Sequence, residues 1–105
     1  MVISDYLPIM TERIRKDFDP VRIILFGSTV RGETDSDSDI DLLVVLPKVE
    51  NKRRASVAIR RALSDLPVSK DIFVTTPDEI QKRGNLVGDI LKAALSEGTV
   101  IYERS

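Results

Sequence analysis

The run Ile40-Asp-Leu-Leu-Val-Val-Leu46 constrains the fold more than any other part of this sequence. Its residues are apolar except Asp41, it is rich in β-branched side chains, and Pro47 closes it after a length typical of a strand and short for a helix. A strand that is apolar at consecutive positions is covered on both faces, so the chain must place layers on each side of a sheet, although one of them can be minimal.

The flanking patterns supply those layers. Leu7, Met10, Ile14 and Phe18 recur at helical spacing within residues 4–18, with Ser4 or Asp5 as the expected cap and Pro8 confined to the first turn. Asp19-Pro20 ends that helix, and Val21 with Ile23 to Phe26 forms a buried strand that stops at Gly27-Ser28. Residues 28–33 fit one or two helical turns, and Thr34 to Ser38 is a polar, acidic loop. Residues 50–66 read as a second long helix, with Ala55, Ala58, Ile59, Ala62, Leu63 and Leu66 on one side and Lys52, Arg53, Arg54, Arg60 and Arg61 mostly elsewhere; Pro67 stops it. Asp71 to Thr75 is a third strand, and Thr76-Pro77-Asp78-Glu79 has the cap, first-turn proline and capping-box acid of a short helix. Gly84 interrupts that helix, Leu86, Ile90, Leu91, Ala94 and Leu95 define a last one ended by Gly98, and Thr99 to Glu103 is a final strand. The alternation predicts an α/β sandwich, a small sheet with helices packed on it, in a single domain over residues 1–105.

Composition narrows the chemistry. The 105 residues contain no cysteine and no histidine, which removes disulfides, thiolate nucleophiles, the usual zinc sites and any histidine base. Reaction chemistry is left to carboxylates, hydroxyls and basic side chains. A formal net charge of −1 gives no strong field for nucleic acid or an anionic membrane, and no segment has the length of apolar sequence that crosses a bilayer, so the expected location is the cytoplasm.

Gly27-Ser28 at one strand end and Asp39-Ile40-Asp41 at the start of the next are separated by ten residues. In a strand, residues two apart share a face with Cα atoms roughly 6.6 Å apart, so Asp39 and Asp41 can converge on a shared cation. Mg²⁺ commonly binds through a few carboxylates and the phosphates of its substrate, which would bring a nucleoside triphosphate. Gly27 lets a phosphate approach the backbone without a Cβ clash, Ser28 opens a helical turn with free N–H groups, and Arg31 adds charge one turn on. Asp71, at the start of a neighbouring strand, is the best-placed third carboxylate if a second cation activates the attacking hydroxyl. Asp35-x-Asp37-x-Asp39 imitates the opening of a calcium-binding EF-hand loop, but Ile40 stands where its glycine is needed and Leu46 where its glutamate is needed, so that reading fails.

This segment resembles the nucleotidyltransferase superfamily typified by DNA polymerase β, and within it the minimal nucleotidyltransferases (MNT) that pair with HEPN-domain proteins. The likeness extends from Gly27-Ser28 through Arg31-Gly32, Ser38 and Asp39-Ile40-Asp41 to Asp71, with Val30 where the family commonly has alanine. The resemblance implies a nucleotidyltransferase fold built on a small mixed β-sheet. It also implies that Asp39 and Asp41 bind the Mg²⁺ (with Mn²⁺ as an alternative) that carries ATP, that Gly27, Ser28 and Arg31 hold its phosphates, and that Asp71 helps activate the acceptor. The implied reaction transfers AMP to a hydroxyl, a tyrosine of a HEPN ribonuclease toxin, which makes the chain the antitoxin of a type VII toxin-antitoxin pair. The implied acceptor lies outside the chain, which has few residues beyond such a catalytic core. A module that neutralises the same partner by binding alone, or transfer to RNA or a small molecule through the basic helix, are the competing expectations.

Overall fold

The computed structural model describes residues 6–26, 40–83 and 98–104. The helical turns expected over 28–33, the loop 34–38, the last helix over 86–95 and the caps Ser4 and Asp5 lie outside them.

Helix α1 spans Leu7–Phe18 and turns Met10 and Ile14, one helical turn apart, fully into the core. Its N-cap is Tyr6, which makes no side-chain capping bond, so the described helix opens on Pro8 in its first turn rather than on a capping hydroxyl or carboxylate. Asp19 closes it in the left-handed conformation (φ 49°, ψ 58°), with its N–H donating to the Arg15 carbonyl. Aspartate is among the few side chains that tolerate this region, and Pro20 cannot continue the helix.

Strand β1 (Arg22–Phe26) pairs antiparallel with β2 (Ile40–Val45), and β2 pairs parallel with β3 (Lys70–Thr75). Strand β4 (Thr99–Glu103) joins the free side of β1 antiparallel, which gives a mixed four-stranded sheet in the order β3-β2-β1-β4. Ile23 faces Tyr102 and Ile24 faces Val100, so Ile101 is an extra residue in a bulge. Alternation along the strands sends Ile23, Leu25, Ile40, Leu42, Val44, Ile72 and Val74 to one face, where Met10 and Ile14 of α1 and Ile59 and Leu63 from the α2 segment bury them. The opposite face carries Ile24, Phe26, Leu43 and Phe73, covered in part by Ile80 of α3 (Pro77–Arg83). Cover on both faces is thus realised, with the second layer small.

Helix α2 spans Lys52–Ala62, capped by the Asn51 side chain, which accepts from the Arg54 N–H at 2.9 Å. It ends four residues before the position expected from the apolar pattern. Leu63, Ser64 and Leu66 donate to the carbonyls of Arg60, Arg61 and Leu63, tightening the chain into i→i+3 turns, and the Ser64 hydroxyl bonds Arg61 O at 2.8 Å. From α1, Arg13 donates to Ala62 O at 3.1 Å and forks onto both oxygens of Asp65. Leu63 and Leu66 still reach the core from these turns, which is why their spacing imitates a longer helix.

Ile59 is fully buried between α2 and the sheet. Ile59→Ala will lower unfolding free energy by about 2–5 kcal/mol, read as a fall in the urea midpoint at constant m-value. The Arg13 guanidinium holds the Asp65 carboxyl below its usual range. Because the folded-state value is depressed, the pair's stabilisation is present above the ordinary aspartate range and is lost as pH falls through the folded value. Asp65→Asn will therefore flatten the acid limb of the stability profile and leave the midpoint of thermal melting nearly independent of that titration.

Candidate active site

The sheet brings three side chains into one row. Phe26 faces Asp41 across the antiparallel ladder, and Asp41 faces Asp71 across the parallel one. Register partners on neighbouring strands project to the same face, and their backbones lie roughly 4.8 Å apart. Asp41 stands two residues before Leu43 and Asp71 two before Phe73, which places both carboxylates on the small-layer face, beyond the apolar side chains and toward the strand starts. The sequence-predicted Asp41 and Asp71 are thus brought together, Asp41 half-buried and Asp71 exposed.

The floor beside them is aromatic. The rings of Phe26 and Phe73, from strands on either side of β2, lie 5.7 Å apart at 47° to one another, a tilted pairing that closes this face over the central strand. Behind Phe73, the buried Thr75 hydroxyl donates to Glu79 Oε1 at 2.9 Å, Glu79 N–H donates to the Thr76 hydroxyl at 3.2 Å, and Lys52 reaches Glu79 Oε2 at 2.6 Å. The expected Thr76 cap is present. Its glutamate also ties the start of α3 to the start of α2, so the ends of both helices are fixed to β3.

Gly27, Ser28, Arg31 and Asp39 lie outside the described residues. The strands from which they depart are placed: β1 ends at Phe26 and β2 begins at Ile40, both at the Asp41–Asp71 end of the sheet. Among the described residues no three acidic side chains cluster as a metal site by themselves. The two that do meet fit Mg²⁺ in kind, being hard carboxylate oxygens on adjacent rigid strands, reachable by solvent and by a phosphate.

Asp71 also belongs to an open groove of about 660 Å³ between the end of α2 and the start of β3, whose walls include Val57, Arg60, Arg61, Val68 and Lys70. The Lys70 ammonium donates to the carbonyls of Leu66 and Val68 at 3.1 and 3.0 Å, and burial pushes its pKa below the usual lysine range. Lys70 carries no signal in the sequence beyond its place before Asp71. Its position in this groove depends on the turns at 63–68, which the helical pattern conceals.

Comparisons with known proteins bear on the family and the fold. A family model described as the nucleotidyltransferase domain matches residues 7–99. A protein of Methanocaldococcus jannaschii named "Putative protein adenylyltransferase" is 34% identical over 73 residues, covering 60% of this chain and 74% of that protein. A crystal structure titled as a "putative nucleotidyltransferase" from Sulfolobus solfataricus superposes with a TM-score of 0.65 at 19% identity, over 95% of this chain and 79% of that one, a likeness of fold. Among the described residues no helix is long and apolar enough to cross a membrane. Matched by the family model from its first described helix to its last strand, the chain belongs to the nucleotidyltransferase domain family and is a nucleotidyltransferase.

Proposed function

We propose that this enzyme transfers AMP from ATP to a tyrosine hydroxyl of a partner protein, as the minimal nucleotidyltransferase of a HEPN toxin-antitoxin pair acting in the cytoplasm. The observation that carries the chemistry is the in-register meeting of Asp41 and Asp71 at the end of the sheet where β1 gives way to Gly27-Ser28. The Methanocaldococcus relative's name supports a protein as acceptor.

In this reading Asp39 and Asp41 hold Mg²⁺ or Mn²⁺ with the triphosphate, and Asp71 completes the set. The cation, when bound, neutralises charge that develops on the phosphates and lowers the pKa of an oxygen bound to it. Gly27 and Ser28 supply backbone N–H groups to the phosphates, and Arg31 adds a positive charge there. Asp71 orients the acceptor hydroxyl and takes its proton. The acceptor oxygen forms a bond to the α-phosphorus as the bond from that phosphorus to the β-bridging oxygen breaks, and pyrophosphate leaves with the electron pair. No covalent enzyme intermediate is needed, which suits a chain without cysteine or histidine. The fixed strand register holds Asp41 and Asp71 in place before substrate arrives, so little reorganisation accompanies the transfer.

The decisive measurement incubates the chain and a HEPN-domain toxin protein with ATP labelled at the α-phosphate and Mg²⁺. Label will appear on a tyrosine of the partner, and EDTA will abolish it. Inhibition of the toxin without label would instead identify a binding antitoxin. Asp41→Asn will weaken Mg-ATP uptake and transfer together, whereas Asp71→Asn will keep most of the nucleotide uptake and lose transfer by at least about a hundredfold, the scale expected when a group stabilising the transition state is removed.

A further inference from the structure

Among the described residues some cations are held in ion pairs and others, Lys16, Lys48, Arg53 and Arg54 included, are not. Arg13, Arg15, Arg22, Lys52, Lys82 and Arg104 each meet a carboxylate: Asp65, Glu12, Glu103, Glu79, Asp78 and Asp19 respectively. Arg60 and Arg61, at the end of α2, are exposed and meet no carboxylate among the described residues. They line the groove with Lys70, whose ammonium is anchored to two backbone carbonyls, and Asp71 at the start of β3 borders the same groove. The groove thus gathers three positive side chains, Arg60, Arg61 and Lys70, at the start of the strand that carries Asp71.

We propose that this groove docks an acidic polypeptide segment that carries the acceptor hydroxyl and delivers it to Asp71. The inference rests on the AMP-transfer reading for the acceptor and for the direction of its approach, while the docking surface itself rests on the charge and lining of the groove. Position selects the incoming group. In-line displacement requires the attacking and leaving oxygens on opposite sides of the phosphorus. The strand order puts β1, from which the Gly-Ser turn departs, on one side of Asp41 and β3 with its groove on the other. With the phosphates held at Gly27-Ser28, as the AMP-transfer reading has them, the leaving group departs on the β1 side and the groove lies on the side from which the hydroxyl comes.

Charge and lining select the class of partner. Arg60, Arg61 and Lys70 favour an anionic segment, and Val57, 39% exposed, with Val68 offers apolar contact for a ring or aliphatic side chain next to the anionic groups. RNA would also meet positive charge, but among the described residues no aromatic side chain lines the groove to stack a base. An acidic, tyrosine-bearing segment satisfies both features: its carboxylates face the arginines and its ring the valines, at the strand start that carries Asp71.

The test uses the full chain and a fluorescein-labelled copolymer of glutamate and tyrosine, with fluorescein-labelled oligouridylate as the competing polymer. Binding is read by anisotropy at about 50 and 300 mM NaCl, a range over which exposed charges become strongly screened. The copolymer will bind, will weaken with salt, and will bind about tenfold more weakly to Arg60→Gln/Arg61→Gln, the loss expected for two exposed ion pairs. The Arg60→Lys/Arg61→Lys variant will keep most of the binding, which separates charge from folding, and Mg-ATP uptake will be retained in both. Equal binding to the glutamine variant, loss in the lysine variant as well, or tighter binding of oligouridylate than of the copolymer would overturn the proposal. Label transfer from ATP to the copolymer separates the two readings. Arginine-dependent binding of the copolymer, with no label on either the copolymer or the HEPN-domain partner, leaves the docking surface standing and removes the AMP-transfer reading. Transfer whose KM is unmoved by the glutamine variant does the reverse.

Discussion

The parallel register between β2 and β3 is the constraint on which the site depends. It is enforced by the core: Ile40, Leu42 and Val44 must share a face with Ile72 and Val74 to be buried by α1 and α2. A slip of one residue would drive Asp71 toward that core and turn Ile72 outward, reversing every side chain on the strand. A slip of two would preserve the apolar pattern and set Asp71 beside Leu43. The ladder is closed against this at both ends, where Ile40 N–H donates to Ser69 O and Leu46 N–H to Thr75 O, each at 2.9 Å. The meeting of the two carboxylates is therefore a consequence of how the apolar face is packed.

Helix α2 joins that packing to the surface. Its inward side carries Ile59 and the partly buried Ala55, while Val57, Arg60 and Arg61 remain accessible. The helix also forms the crossover that makes β2 and β3 parallel, so the groove and Asp71 are attached to one unit of structure. Lys52 binds Glu79 at the other end of the helix, and Arg13 holds the turns after it through Ala62 O and Asp65. These polar ties are mostly solvent-facing and individually weak, and they act on an orientation already set by apolar burial.

Much of this was readable in the sequence for physical reasons. Short β-branched runs bounded by Pro and Gly declare strands, and β1, β2, β3 and β4 begin and end within a residue or so of where those patterns put them. Asp41 and Asp71 both stand at strand starts in the sequence, and the parallel register sets them opposite one another. Less legible were features decided by residues far apart in the chain. The end of α2 depends in part on Arg13, 49 residues from Ala62, and local periodicity cannot distinguish a buried leucine in a turn from one in a helix. The groove was hidden for the same reason. The basic residues of α2 read as one charged face, whereas the fold assigns Lys52 to an ion pair with α3 and sets Arg60 and Arg61 beside Lys70.

The bulge at Ile101 bears on a different property. Strands β3 and β4 are the two outer strands of the sheet, and an outer strand with a regular ladder is a template on which a second chain can pair. By inserting one unpaired residue opposite Ile23 and Ile24, β4 bends out of regular spacing and still buries part of Ile101 and Tyr102 against the main core. Val100, 49% exposed, sits on the shortened stretch before the bulge. The other outer strand opens with two charged residues, Lys70 and Asp71. Each border thus discourages strand-to-strand polymerisation by a separate device, irregular spacing on one side and charge on the other.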